Sequence, residues 1–557
     1  MKYLLTVLLL WSGLSAQSQW TPAEACRFTQ YSQQREVARF LSTMSHLAKT
    51  VSVQVVGKSR EVEGYGSENL FLCVLSQEGA STPSQLNRNK ITILITASQH
   101  GNEQSAKEAA LQVIRDLALG DLALLLAQAN VLVIPQANPF GNRFDRRVNE
   151  LDLDMNRDHI KMESEGVQAI HRVFRTWMPE VTLDVHERGD NYYNVSLGCV
   201  SNINIDQAIQ EFSRRRILAA VQKRLAEKKI TFFEYLVTEE MGINTAAGAQ
   251  LKPEDTAGRP IMMRYSTSDI NDGRNSHGLY QTFSFIQEAS SLHDLKTLAE
   301  RTRCQAECIR AFLQTVAANE KEMRGLVTRL RNEVLQQAAV FSPDRQVHLR
   351  LDYARDEKEP VLRVNEYETA TAEVAGVLTT DKKAGEAVLA TELAAYPHPA
   401  RQKVVAKTVE NWFPRVIAKL SVARPLAYVI PARYEEVVET LLRHGVEVST
   451  FTRDVELQVE GYWTNKVTPA KYDYLPPEEI EVNKKTISLL CKAGDYYISC
   501  AQPAANLLPC LLEPQSDYGM IRYWKYRLVP EQDHYFAFYR VERPQQPAIM
   551  PYQQWTK

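Results

Sequence analysis

A chain of 557 residues is too long for one hydrophobic core and points to about two to four domains. With 44% hydrophobic and 24% charged residues, the composition is that of a globular protein and excludes a low-complexity chain. The 65 basic and 67 acidic residues leave a net charge of −2, which recruits neither nucleic acid nor an anionic membrane.

At the N-terminus, Met1-Lys2 precedes the apolar run YLLTVLLLW and then the small, polar SGLSAQSQ. This layout predicts a signal peptide over residues 1–18, with Ala16 and Ser18 as the candidate cleavage positions. An uncleaved N-terminal anchor is the alternative. The apolar run is short for a bilayer span, and no later segment reaches about 18 consecutive apolar residues. The mature chain is therefore expected to be exported, periplasmic or extracellular, with no stable membrane span. Eight cysteines follow, and none has the spacing of a zinc ribbon. Cys304 and Cys308, four apart on a predicted helix, read as buried or solvent-facing helix cysteines.

From about residue 20 to 300, short apolar runs alternate with helical periods. ITILITA (91–97), NVLVIPQ (130–136), EVTLDVH (180–186) and TFSFIQE (282–288) predict buried strands. Residues 103–119, 164–178 and 203–229 predict helices between them. This alternation predicts an α/β fold: a mixed, mostly buried sheet flanked by helices. Residues 292–340 predict a long, charge-laced helical stretch with a solvated face. Beyond it, VHLRLDY and PVLRVNEY alternate like strands, and one helix stands out at 432–445. The predicted organisation is a domain over 19–340, including the helical connector, and a smaller β-rich accessory domain over 341–557.

Two strings share the pattern H-G-x-E. His100 and Glu103 follow the strand 91–97, where it hands over to a helix. Ligands in open α/β sheets bind beyond the carboxyl ends of strands, and His-x-x-Glu can bring imidazole and carboxylate onto one ion. His444, in HGVE at 444–447, lies in the last turn of an amphipathic helix, with Gly445 as the residue that ends it. A helix-end histidine and a left-handed glycine explain that string without a metal. A third ligand should also end a strand, and His186 does so in EVTLDVHERG. Glu288, at the polar end of its strand, is the candidate general base. Glu187 is the rival, but adjacent strand residues point to opposite faces, which turns Glu187 away from His186.

Taken in order, HGNE, PQANPFG, RVNELDLDMNRDH, LDVHE and FIQE resemble the motifs of the carboxypeptidase A-type zinc metallopeptidases, over roughly residues 60–300. The resemblance implies one Zn²⁺ per chain, held by His100, Glu103 and His186, with Asp154 orienting His100. It implies a zinc-activated water with Glu288 as the general base that takes its proton and passes it to the leaving amine. Arg147 would stabilise the oxyanion, while Asn156 and Arg157 would hold the free C-terminal carboxylate of a peptide substrate. Arg143 and Arg146 are neighbours with surface pairing as their expected role. Tyr265 lies near the spacing of the family's closing tyrosine, although its surroundings do not match. His159 and His277 are read as supporting or surface histidines rather than metal ligands. The C-terminal region resembles an extension found on some bacterial exported members. The expected function is an exported metallocarboxypeptidase acting at or near a free C-terminus. A zinc amidohydrolase, deacylase or cell-wall peptide hydrolase on the same fold, and a non-catalytic peptide-binding pseudo-enzyme, are the alternatives.

Overall fold

The structure, a computed structural model, describes residues 19–188, 192–240, 261–290, 294–367, 403–467 and 480–552. The expected signal peptide lies outside these residues. Among the described residues, no helix is long and apolar enough to cross a membrane.

Eight strands build the first sheet. In chain order they are β1 (Val51–Lys58), β2 (Asn69–Leu75), β3 (Ile91–Ala97), β4 (Ala129–Ile134), β5 (Val181–Arg188), β6 (Val195–Cys199), β7 (Phe232–Glu234) and β8 (Phe283–Ser290). Their spatial order is β1-β2-β4-β3-β5-β8-β6-β7. The four central strands, β4, β3, β5 and β8, run parallel, and antiparallel strands flank them on both sides. All seven residues of β3 and all six of β4 are buried, which explains runs that are apolar throughout rather than alternating. Parallel neighbours bring their carboxyl ends to one edge, and chain order reverses about β3, whose neighbours are β4 and β5. A crevice forms beyond that edge.

The helix Gln104–Leu119 follows β3, and Glu165–Trp177 precedes β5. The helix predicted over 203–229 runs from Gln207 to Glu227, with a wider turn at Ser213–Leu218. The long stretch after β8 divides into Leu298–Ala318 and Glu320–Ala338. Asn319 makes the break: its backbone leaves the helical range, and its amide nitrogen bonds back to the Thr315 carbonyl at 2.8 Å. A periodic charge pattern does not register such a local competitor.

A separate, antiparallel seven-stranded sheet lies in the C-terminal region. Its order is Glu481–Cys491, Val455–Lys466, Tyr535–Val541, Ala427–Ile430, Tyr496–Ser499, Ser449–Phe451 and Ile549–Pro551. The helix Glu435–Arg443 packs beside it and against Glu165–Trp177. One contiguous apolar core runs from Val37 in the first region to Phe538 in the last. None of the eight cysteines forms a disulfide, and Cys304 and Cys308 are buried thiols.

Candidate active site

The chain leaves β3 through Ser98-Gln99-His100-Gly101. Gly101 is required by space: a Cβ there would lie 2.0 Å from the carbonyl carbon of Gly141. That approach is held by amides of the next motif. Asn142 donates to the Gly101 carbonyl at 3.0 Å, and Asn138 donates to the Gln99 carbonyl at 3.2 Å. The Asn-Pro segment after β4 thus fixes the loop after β3.

Glu103 stands at the N-cap of Gln104–Leu119 but makes no capping bond with its side chain. Its carboxylate is committed elsewhere: Oε1 lies 2.7 Å from His100 Nδ1 and Oε2 lies 2.8 Å from His186 Nδ1. The two Nδ1 atoms are 3.2 Å apart. All three residues are buried. Burial opposes charge on Glu103, but the two imidazoles outweigh it and hold the carboxyl well below its usual range.

The outward nitrogens are also held. His100 Nε2 lies 2.9 Å from Asp154 Oδ1, and His186 Nε2 lies 2.8 Å from Asp184 Oδ2. Burial lowers the pKa of His186, but Asp184 and Glu103 raise it well above the ordinary imidazole value. Asp184 is a residue the sequence reading missed. The signal was present: it stands two before His186, and strand residues two apart share a face.

Strand pairing places Glu288 beside this group, because β8 and β5 align Glu288 with His186. Glu288 is buried, and its Oε2 makes no hydrogen bond. Burial pushes its carboxyl up to about 7; His186 opposes the rise and Glu103 adds to it. Glu187 also borders the cavity beside this group, but its carboxylate is occupied. It accepts the Ser105 amide at 2.5 Å and pairs with the buried Arg301.

Arg147 is half-exposed, with Nε and Nη2 on Asp154 Oδ2 at 3.1 and 2.9 Å and Nη1 3.6 Å from Glu103. Asp154 therefore touches both His100 and Arg147. Arg146 pairs with Asp152 at 2.5 Å, and Arg143 with Glu68 at 3.5 Å, both at the surface. Asn156 is buried; its Oδ1 accepts the Gly273 amide at 2.9 Å, and its Nδ2 stands 3.3 Å from His186 Nε2. Arg157 donates to the Asn156 carbonyl at 2.7 Å. Burial lowers the pKa of its guanidinium, and Asp154, Asp269 and Asp272 outweigh that.

His100, Glu103, Arg147, Asn156, Arg157 and Glu288 line a cavity of 310 Å³, together with Arg188, Tyr235 and Arg274. None of these three was predicted. Arg188 follows His186 by two on β5, so its placement was readable; Tyr235 and Arg274 arrive from unmatched segments. The tyrosine in the cavity is Tyr235, and burial pushes its hydroxyl up to about 12. Tyr265 instead meets Trp412 edge-on at 4.5 Å and lines a larger, separate cavity of 1250 Å³. That larger space holds none of the convergent histidines.

Two imidazoles and a carboxylate converge at a strand edge, with a free buried carboxylate alongside. This defines the class: a metal-dependent hydrolase on an α/β sheet. Comparison with known proteins makes it particular. Residues 38–185 match the zinc carboxypeptidase family model. "Carboxypeptidase 2" of Trichophyton equinum is 24% identical over 496 residues, covering 85% of this chain and 80% of the relative. The Trichophyton tonsurans protein of the same name is 23% identical over 491 residues, with the same coverage. A solved metallo-carboxypeptidase from Pseudomonas aeruginosa is 16% identical, covering 53% of this chain and 71% of its own, with a TM-score of 0.38.

Proposed function

We propose that this protein is an exported, zinc-dependent metallocarboxypeptidase that hydrolyses peptide bonds at or near a free C-terminus. The observation that carries the reading is the converging set of His100 Nδ1, Glu103 and His186 Nδ1, with a carboxylate behind each imidazole. The donor set fits zinc. Tetrahedral ligands about 2.0–2.1 Å from the ion stand roughly 3.3 Å apart, and the two Nδ1 atoms are 3.2 Å apart. Carboxylate–histidine pairs of this kind fix ring orientation and tautomer. Bound there, zinc supplies Lewis-acid polarisation of a carbonyl and acidifies water.

The chain's own residues do the rest. Glu288 accepts the proton of the attacking water at its carboxylate and returns it to the leaving amine. Arg147 faces the cavity with a guanidinium anchored on Asp154 and stabilises the charge that develops on the carbonyl oxygen. Asn156 and Arg157, at the cationic inner wall with Arg188 and Arg274, receive the terminal carboxylate. We assign residues 19–340 to the catalytic domain and 341–557 to an accessory domain that packs against it. Residues 1–18 form the export signal.

Mass spectrometry of a peptide library tests the reading. Products should be shortened from the C-terminus, chelation should abolish them, and Glu288→Gln should lower kcat by about 10²–10⁴ with zinc retained. Internal cuts alone, or deacylation alone, would overturn it.

A further inference from the structure

A second group of histidines lies outside the cavity. His159 follows the segment carrying Asn156 and Arg157, His171 lies in the helix Glu165–Trp177, and His277 lies in the short helix Gly273–Gly278. One ligand atom from each comes within 4.8 Å of the others, and all three residues are buried. Ring centroids are 5.1 Å apart for His159 and His171, 5.0 Å for His171 and His277, and 5.9 Å for His159 and His277. Phe174 stacks on His277 at 4.2 Å. His444, the histidine of the second HGxE string, meets His171 at 5.5 Å.

Hydrogen bonds assign the lone pairs. Gln99 donates its amide to Asp184 Oδ2 at 2.7 Å, so its Oε1 faces His159 as an acceptor. His159 Nε2, 2.9 Å away, is therefore the protonated nitrogen, and Nδ1 carries a lone pair. His171 Nε2 stands 2.9 Å from that Nδ1. His277 Nε2 is buried without a hydrogen-bond partner, an arrangement that is unfavourable when nothing satisfies it. His444 Nε2 donates to the Ile160 carbonyl at 2.9 Å, which leaves its buried Nδ1 unprotonated and also unpartnered. Burial also keeps these rings neutral, with His159 and His444 lowered to about 4 and His277 to about 3.

We propose that His159, His171 and His277 form a second metal site, for a divalent first-row transition ion of the zinc class. Imidazole nitrogen is the ligand type such ions favour, and three with one open position is an established zinc set. The ion takes the place of the proton shared between His159 Nδ1 and His171 Nε2, and closing on it draws the three nitrogens together from their present spread. The Asp184 carboxylate opposes the effect of burial on both His159 and His277, so it lowers the cost of a buried cation. A continuous path then joins the two centres: His186 Nε2, Asp184, Gln99 and His159. The site would tie the loop after Arg157, two helices and the start of the C-terminal packing into one unit.

Metal counting on the full chain tests this independently of peptidase activity. The protein is stripped with chelator, exposed to excess Zn²⁺, dialysed free of loose ion and analysed for zinc. Wild type should hold two per chain, His186→Asn one, His277→Gln one, and the double variant none. One zinc per chain in wild type together with one in His277→Gln would overturn the proposal. So would no zinc in His186→Asn, or one retained in the double variant. If His277→Gln does not fold, X-ray absorption of zinc-loaded His186→Asn decides, because that variant leaves the cluster intact. A shell of three imidazoles supports the site, and a shell without them overturns it. Failure of the peptide-library test with two zincs bound would sink the assigned function and leave this site standing.

Discussion

Asp184 does more than its neighbours in the motif suggested. It bonds His186 Nε2 and accepts Gln99, so it orients a candidate ligand while reaching the histidine cluster. Asp184→Asn should weaken zinc binding at the first centre by about 10–100-fold, as removing an outer carboxylate does. The check is a competitive chelator titration, with circular dichroism to confirm the fold. At this scale the ligand candidates were legible because they lie at or just beyond the ends of strands, which are local features. The Asp184 contact was half legible: alternation gives its face, but only the folded ring orientation shows what it holds. Which tyrosine lines the cavity was not legible, since Tyr235 and Tyr265 differ in tertiary placement rather than in any local pattern.

The two HGxE strings separate at the scale of the element. Gly101 answers to close approach of another loop, whereas Gly445 answers to its own backbone, with φ +79°. Around Gly445, the Val446 amide donates to the Leu441 carbonyl at 3.0 Å and the Gly445 amide to Leu442 at 2.9 Å. This is the paired hydrogen bonding of a Schellman helix end. Gly445→Ala should cost about 1–2 kcal/mol, the usual penalty for a Cβ in left-handed backbone. Urea unfolding of the variant against wild type measures it, and an unchanged midpoint would contradict the argument. His444 does close the helix Glu435–Arg443. The ring is buried, and burial keeps it neutral, so its place in the core rather than the helix dipole accounts for it.

Across the whole molecule, the C-terminal region is bound to the first by buried and polar contacts alike. Tyr280 donates to the His444 carbonyl at 2.7 Å, Arg175 reaches the Leu442 carbonyl at 2.5 Å, and Tyr518 donates to Asp269 at 2.6 Å. Glu163 joins the regions by charge, with Lys161 at 2.5 Å and Lys525 at 3.5 Å. Burial alone would raise the pKa of Glu163, but Lys161 and then Lys525 outweigh it and hold the carboxyl below its ordinary value of 4.5. A carboxyl whose pKa is lower folded than unfolded binds fewer protons in the native state. Its contribution is therefore complete above about pH 4.5 and disappears as pH falls through the folded pKa. Glu163→Gln should cost about 0.2–1 kcal/mol at neutral pH, since the pair is partly solvated, and nothing at low pH. Denaturant unfolding at both pH values checks it; an equal loss at both would show that packing rather than charge is responsible.

The sequence by itself determined the mixed, mostly buried sheet, the place of His100 just after one strand, and those of His186 and Glu288 near the ends of two others. All of these follow from periodicity and from where strands stop, which are properties of neighbouring residues. It also reached the family whose model matches residues 38–185, because five short motifs keep their order along the chain. Only the tertiary structure decided that Asp184 backs His186, that Tyr235 and not Tyr265 enters the cavity, and that His159, His171, His277 and His444 share one buried space. Apart from Asp184 and His186, which share β5 and whose contact depends on ring orientation, those contacts join residues from separate elements, and their lone pairs are set by partners such as Gln99 and Ile160. No spacing along a single segment encodes them.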